Sequence, residues 1–233
     1  MNRNTTIVIA VLAGGIIAAV AAAWAVKSFT GESATDRAMA QLRAQPLVGV
    51  VLADNPAIEA RVRAAVEQDQ RDPQTTPRAF LAISEIRRTI VGPTLSAADD
   101  ASALAVMKAR TDLVDHLEKT DLAACRQFSG DGIRDVNKLD GEGQKLFRAM
   151  LTAMEAAYRS GKANGGKGKP ATSQEFAAML QSAGFTPDDF AKFSRIATLR
   201  DDELCALELR IDDAPGKLPE DKRGPFARFV IAH

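Results

Sequence analysis

Residues 5–26 contain no charged side chain. The run TTIVIAVLAGGIIAAVAAAWAV is long enough to cross a hydrocarbon layer of roughly 30 Å as a helix. Trp24 stands near one end, where an indole prefers the membrane interface, and Lys27 closes the run. The pattern predicts an N-terminal transmembrane helix, with the anchor over residues 1–27 and a linker over residues 28–35. A cleaved secretory signal is the competing reading: Ala23-Trp24-Ala25 supplies a small-x-small site, and cleavage near Ala25 would leave a secreted chain. The run exceeds the usual signal core of roughly 7–15 residues, which favours the anchor. Arg3 on one side and Lys27, Arg37 and Arg43 on the other leave the charge rule for orientation nearly silent. The short N-terminal tip makes an extracytoplasmic C-terminal domain, periplasmic in an envelope, the expected arrangement. Gly15, Ala19 and Ala23 recur every four residues, a spacing that suits a homodimer through the anchor; small residues are also simply common in an Ala-rich span.

Beyond the anchor the apolar positions follow the period of a helix. Residues 36–45 form a modest helix ending at Pro46, and the short apolar run 47–53 fits helix or strand. Asn55-Pro56 starts a helix with Ile58, Val62, Ala65 and Val66 on one face. Thr76-Pro77 starts another, with Phe80, Ile83, Ile86 and Ile90 inward, and Gly92-Pro93 ends it. Ser96, with Asp99 three residues on, caps a long helix whose apolar arc includes Ala103, Val106, Met107, Leu113, Val114 and Leu117. Two polar residues, Arg110 and Asp121, fall in that same arc. Either the helix breaks at Thr120 and Thr120-Asp121 caps a new start, or the two side chains sit at the rim, with the Arg stem covering apolar surface.

Residues 129–143 read as a loop rich in Gly and Asp. Phe147, Met150, Leu151, Met154, Ala157 and Tyr158 then mark a clear helix. Thr172 and Glu175 form a capping box, and Thr186-Pro187 starts the next helix. The last stretches are ambiguous. Leu204, Leu207 and Ile211 fit a helix, while Leu207, Leu209 and Ile211 alternating with Glu208, Arg210 and Asp212 fit a strand. Residues 226–231 fit either. The expected fold is all-α, a multi-helix bundle-like domain behind the anchor. Its parts are a main helical domain over 36–160, a flexible Gly/Lys linker over 161–171 and a C-terminal helical lobe over 172–233 packing on the main domain.

Composition supports helices and removes some functions. The 233 residues are rich in Ala and hold one Trp and one Tyr. Thirty basic residues balance thirty acidic ones, so the strong basic excess of a nucleic-acid binder is missing. Exported domains permit disulfides, and the two cysteines, Cys125 and Cys205, are expected to bridge; two buried thiols that never meet are the alternative.

Other motifs are explained by ordinary structure. Residues 161–168 nearly match a phosphate-binding loop, but Gly168 replaces the hydroxyl and Lys169-Pro170 follows where a helix should begin. Asp112 and His116, one turn apart, lack a further ligand to complete a metal site. Asp131, Asp135, Asn137, Asp140 and Glu142 miss the spacing of a calcium loop, and Asp140 suits a helix cap. Asp188-Asp189 and Asp201-Asp202-Glu203 lie in first helical turns, where negative charge suits the helix dipole. No catalytic residue, cofactor or metal site is assigned. The expected role is a non-enzymatic one: a membrane-bound helical protein meeting a protein partner in the envelope. An envelope enzyme working through carboxylates in an inter-helix groove, and a module for a small apolar ligand, are the alternatives.

Overall fold

A computed structural model describes residues 33–233 apart from residues 75, 76, 131, 134 and 166. The expected membrane segment, Thr76 of the Thr76-Pro77 start and Asp131 of the acidic loop lie outside the described residues. Among the described residues every regular element is helical, and no helix is long and apolar enough to cross a membrane.

Two long helices form the centre. Helix α6 (Asp100–Thr120) packs along α8 (Gly141–Ala163), and this is the most extensive contact in the fold. Each supplies a stripe at helical spacing: Val106, Met107, Leu113 and Leu117 face Phe147, Met150, Leu151 and Met154, all buried. The layer on one side is built from α1 (Ala34–Arg43), α2 (Pro46–Asp54), α3 (Pro56–Arg71), α4 (Arg78–Ile86) and α5 (Gly92–Leu95). The rest is α7 (Leu122–Ser129), α9 (Ser173–Ser182), α10 (Pro187–Phe193), α11 (Asp201–Asp212) and α12 (Glu220–Ala232). Helix α11 packs on both α6 and α7, and α12 crosses α6 and α5. Phe176 of α9 stacks on Phe226 and Phe229 of α12, with ring centroids 4.8 and 4.3 Å apart. The ambiguous runs at 47–53, 204–212 and 226–231 are all helical.

Local signals placed several helix starts correctly. Thr172 and Glu175 make the expected capping box. Thr186 caps α10 with Asp189 as its reciprocal partner, and Asp140 accepts the Gly143 N–H at the start of α8. The long helix does break at Thr120, and Asp121 caps α7 by accepting the Ala124 N–H.

Three expectations need correction. The cap of α6 is Asp99, which accepts the Ser102 N–H; the Ser96 hydroxyl donates back to the Pro93 carbonyl instead. Asn55 does precede α3, but its side chain donates to the Val51 carbonyl and so closes α2. Gly92-Pro93 does not end a helix. The backbone passes through a π-helical turn, Arg87–Val91, directly into α5, and Pro93 sits in its first turn. Gly92 serves a close approach: a Cβ there would lie 2.4 Å from the Ala232 carbonyl oxygen at the end of α12.

The described residues of 161–171 are held by close contacts. Gly161 and Ala163 belong to α8. A Cβ on Gly161 would lie 1.9 Å from the Thr94 carbonyl oxygen, and one on Gly168 would lie 2.5 Å from that of Ala98. The Arg228 guanidinium of α12 donates to the Lys169 carbonyl at 3.0 Å and the Ala98 carbonyl at 3.3 Å, and also pairs with Asp100. The Ala171 N–H donates to the Pro225 carbonyl. Buried apolar residues before and after this stretch belong to one continuous core.

Gly161→Ala is therefore expected to destabilise the fold by about 1–3 kcal/mol, although alanine is the better helix former. Gly141→Ala, whose added carbon meets nothing within 4 Å, is expected to be neutral or slightly stabilising. Urea unfolding of the two variants beside the parent chain checks both; equal midpoints would refute the contact argument.

Candidate functional site

Arg110 occupies a core position of α6, one turn from Val106 and Met107 and one turn from Leu113 and Val114. It is buried, with 4 % of its surface exposed, and not at the rim that the sequence offered as one alternative. Across from it, α11 presents Glu208 and Asp212, one turn apart and both buried. The Arg110 guanidinium donates to Glu208 Oε1, and its Nε donates to Asp212 Oδ1 at 3.2 Å. Its planar head also lies 5.1 Å from the centroid of the Phe128 ring of α7.

One guanidinium faces two carboxyl groups, so full ionisation would leave a buried negative charge. Glu208 Oε2 and Asp212 Oδ2 have no hydrogen-bond partner. Burial, opposed by Arg110, raises Glu208 to about 8, and burial raises Asp212 to about 6 against the same guanidinium. A single proton shared by the coupled pair, seated mainly on Glu208, makes the cluster neutral at pH 7. Arg110 itself stays charged: burial disfavours its cation, and the charges of Asp212 and Glu208 outweigh that.

The cysteines lie beside this cluster. Cys125 of α7 and Cys205 of α11 stand at disulfide distance, with Cα atoms 6.1 Å apart and a sequence separation of 80. Cys205 is one turn before Glu208, so the same face of α11 carries both the sulfur contact and the polar cluster. For a loop of that length a chain-entropy argument gives about 4.5 kcal/mol of stabilisation when the bridge is closed.

The other acidic candidates have structural partners. His116 pairs with Asp140 at 2.8 Å, not with Asp112, which instead takes Lys108 at 2.7 Å. The Gly143 N–H and His116 together hold Asp140 below the usual carboxylate range. Asp135 caps the short turn Val136–Lys138, and Glu142 pairs with Lys145. Asp189 is buried, yet hydrogen bonds from Arg210 and Thr186 hold it down at about 2. Asp201 pairs with Arg126, and Glu203 accepts the Arg200 N–H. Among the described residues no group of three or more His, Cys, Asp or Glu converges as a metal site.

An open groove lies apart from the buried cluster. It has a volume of about 840 Å³ and runs between α4, the π-helical turn, α5 and the end of α12. Leu81, Glu85, Arg87, Arg88 and Pro93 line it. Its hydroxyls are engaged with backbone: Ser84 donates to the Phe80 carbonyl and Ser96 to that of Pro93. His233 Nδ1 lies 2.8 Å from the Phe229 carbonyl, and its ring stacks on Phe229. A second concavity, between α2 and α4, is apolar and holds about 20 Å³, room for no more than one water.

Known protein families, curated proteins and solved structures provide no match to this chain.

The proton on the Glu208–Asp212 pair has a consequence for stability. The folded chain binds a proton that the unfolded chain, with Glu at 4.5, releases. This contribution is complete below about pH 4.5 and is lost as pH rises through about 8. Glu208→Gln, which keeps a neutral acceptor for Arg110, is expected to flatten the fall in unfolding free energy between pH 5 and pH 8, on the order of the span between those two values. An unchanged pH slope in the variant would show that the pair holds no such proton.

Proposed function

We propose that this protein is a membrane-tethered helical interaction module, with its folded domain on the extracytoplasmic side and no chemistry of its own. The observation that carries the reading is the groove beside Leu81. Leu81 is 55 % exposed, against burial of most large apolar side chains among the described residues, and it borders the open groove. The groove's hydroxyls donate to backbone carbonyls, so it offers shape and charge rather than a nucleophile poised against a base.

The carboxylate-enzyme alternative finds perturbed protonation in Glu208 and Asp212, the feature that marks many active sites. Those groups are sealed: Glu208 is 1 % exposed and Asp212 4 %, and substrate has no route to them in a packed interface. They belong to the structural account. The small-ligand alternative calls for an enclosed apolar cavity of several hundred Å³; the apolar concavity between α2 and α4 is far below that, and the larger groove is open and carries the charged side chains Glu85, Arg87 and Arg88. The tether rests on the uncharged run at residues 5–26, and the extracytoplasmic side on the paired cysteines, which an oxidising compartment would keep bridged.

Two measurements test this reading. Site-directed photo-crosslinking in cells, with the probe in place of Leu81, is expected to give a discrete protein adduct. The same probe in place of Lys138, a polar exposed position, is expected to give none; identical patterns at both positions would sink the docking role. Maleimide labelling of the denatured membrane fraction is expected to modify Cys125 and Cys205 only after reduction. Labelling without reduction would remove the oxidising compartment from the account.

A further inference from the structure

Helix α7 closes one side of the polar cluster. It has eight residues, and α6 ends at Thr120 just before it. Its Phe128 lies against the Arg110 guanidinium. Two polar or covalent ties join α7 to α11: the Cys125–Cys205 pair, fully buried, and Arg126, partly exposed, on Asp201 and the Leu199 carbonyl. Leu122, on the outer side of α7, is 38 % exposed, so no further layer covers the helix there. The buried side-chain oxygens that lack a partner among the described residues are Ser129 Oγ, Glu208 Oε2 and Asp212 Oδ2, all on α7 or α11. Ser129 follows Cys125 by one turn, and Glu208 follows Cys205 by one turn. The seam that the cysteines clasp is therefore where polar groups are least satisfied, and water entering it would hydrogen-bond to all three oxygens.

A closed bridge holds α7 down on this seam. Without it α7 keeps its apolar packing and the Arg126 contacts, set against the wetting of three unpartnered oxygens and the ionisation of a second carboxyl group. We propose that the Cys125–Cys205 bridge is the latch of a redox switch: a dithiol reductant that opens it lets α7 lift, and the Glu208–Asp212 pair then releases its shared proton. In the exchange the sulfur–sulfur bond breaks, two protein thiols form and the reductant's two sulfurs join, so its two electrons and two protons are all accounted for. The proton from the carboxyl pair goes to water in addition. In the closed chain burial, opposed by Arg110, holds Glu208 up at about 8, and a wetted carboxyl group returns to the ordinary 4.5. The charges that act on the pair are Arg110 from α6, each carboxyl group on the other, and Asp213 at the end of α11. Arg87 reaches Arg110 from the π-helical turn. Arg126 of α7 is taken by Asp201, Arg210 of α11 by Asp189, and Lys217 in the turn after α11 is exposed. The closed state binds the extra proton, so rising pH favours the open, reduced state. None of this depends on what occupies the groove.

The test is the equilibrium of the full chain, in neutral detergent micelles, with reduced and oxidised dithiothreitol. The reduced fraction is read by maleimide-polymer labelling after acid quenching and denaturation. Between about pH 6 and about pH 7.5 the thiols on both sides stay protonated, so an uncoupled bridge gives an exchange constant that does not change with pH. The switch predicts that the constant for reduction rises about tenfold per pH unit over that range. In Glu208→Gln, where a single carboxylate faces Arg110, the constant is expected to be flat. Two readouts on the parent chain need no variant. An indicator dye in weak buffer near pH 7 is expected to record about one proton released per bridge reduced. Hydrogen exchange is expected to speed up in α7 on reduction and to stay unchanged in α8. A constant independent of pH in the parent chain would overturn the proposal, and so would unchanged exchange in α7. Loss of the helical circular dichroism on reduction would overturn it as well, because the bridge would then staple the whole fold and not latch one helix. An equal pH slope in the parent and in folded Glu208→Gln would place the proton elsewhere and remove the carboxyl pair from the switch.

Discussion

The contact between α6 and α11 depends on a polar cluster closed inside an apolar core. Arg110 stands where a large apolar residue would ordinarily pack, and it is tolerated because α11 delivers two carboxyl groups to it. A guanidinium there without them would be an uncompensated buried charge, costing about 3–5 kcal/mol. Two carboxylates without a proton would be almost as poor. The neutral arrangement needs all three side chains and one proton at once, which fixes the register of α11 against α6. Phe128 on α7 lies against the same guanidinium, and the cysteine contact ties α7 to α11 one turn away. Three helices are thus set relative to one another by a few atoms.

The opposite end of α6 is set by backbone proximity. Gly92, Gly161 and Gly168 sit where the backbone of another segment comes too close for a side chain, and Gly224 lies against the Asp100 carboxylate. Arg228 reaches from α12 to the Ala98 and Lys169 carbonyls and to Asp100, so the start of α6, the end of α8 and α12 share one junction. The groove opens beside this junction, between α4 and the end of α12. Its walls are rigid elements, and Arg87 and Arg88 are placed by the π-helical turn. Its position follows from the packing, so a partner would meet a preformed surface.

Features that depend on neighbours in sequence were readable from the sequence. The capping box at Thr172, the helix start at Thr186-Pro187, the Asp140 cap and the stripes of α6 and α8 are local patterns. Glu208 and Asp212 were hidden by the ambiguity at residues 204–212. Read as a strand, they alternate onto a solvent face with Arg210; read as a helix, they lie beside Cys205 and Ile211 and point at the core. Arg110 was visible as a polar residue in an apolar arc, but the rim explanation was sufficient without its partners. That signal, a charged residue at a core position of one helix and two opposite charges at core spacing on another, identifies the cluster once both helices are known. Gly92-Pro93 misled because a helix end is the common reason for that pair, whereas here the glycine answers to α12, distant in sequence. The groove had no sequence signature, since it is made by the crossing of α4 and α12.

Closure of the polar cluster assigns Glu208 and Asp212 to the packing of the fold and leaves the open groove as the surface proposed for a partner. The direct measurement is a carbon-13 NMR titration of the carboxyl groups of Glu208 and Asp212 in the folded chain. The account predicts that one of the two carboxyl carbons keeps its protonated shift at pH 7 and changes only near the value of about 8 reached by Glu208. Both carbons titrating together at the ordinary carboxylate values would contradict it. Water would then reach the pair, and two solvent-accessible carboxylates beside a guanidinium would favour the enzymatic alternative.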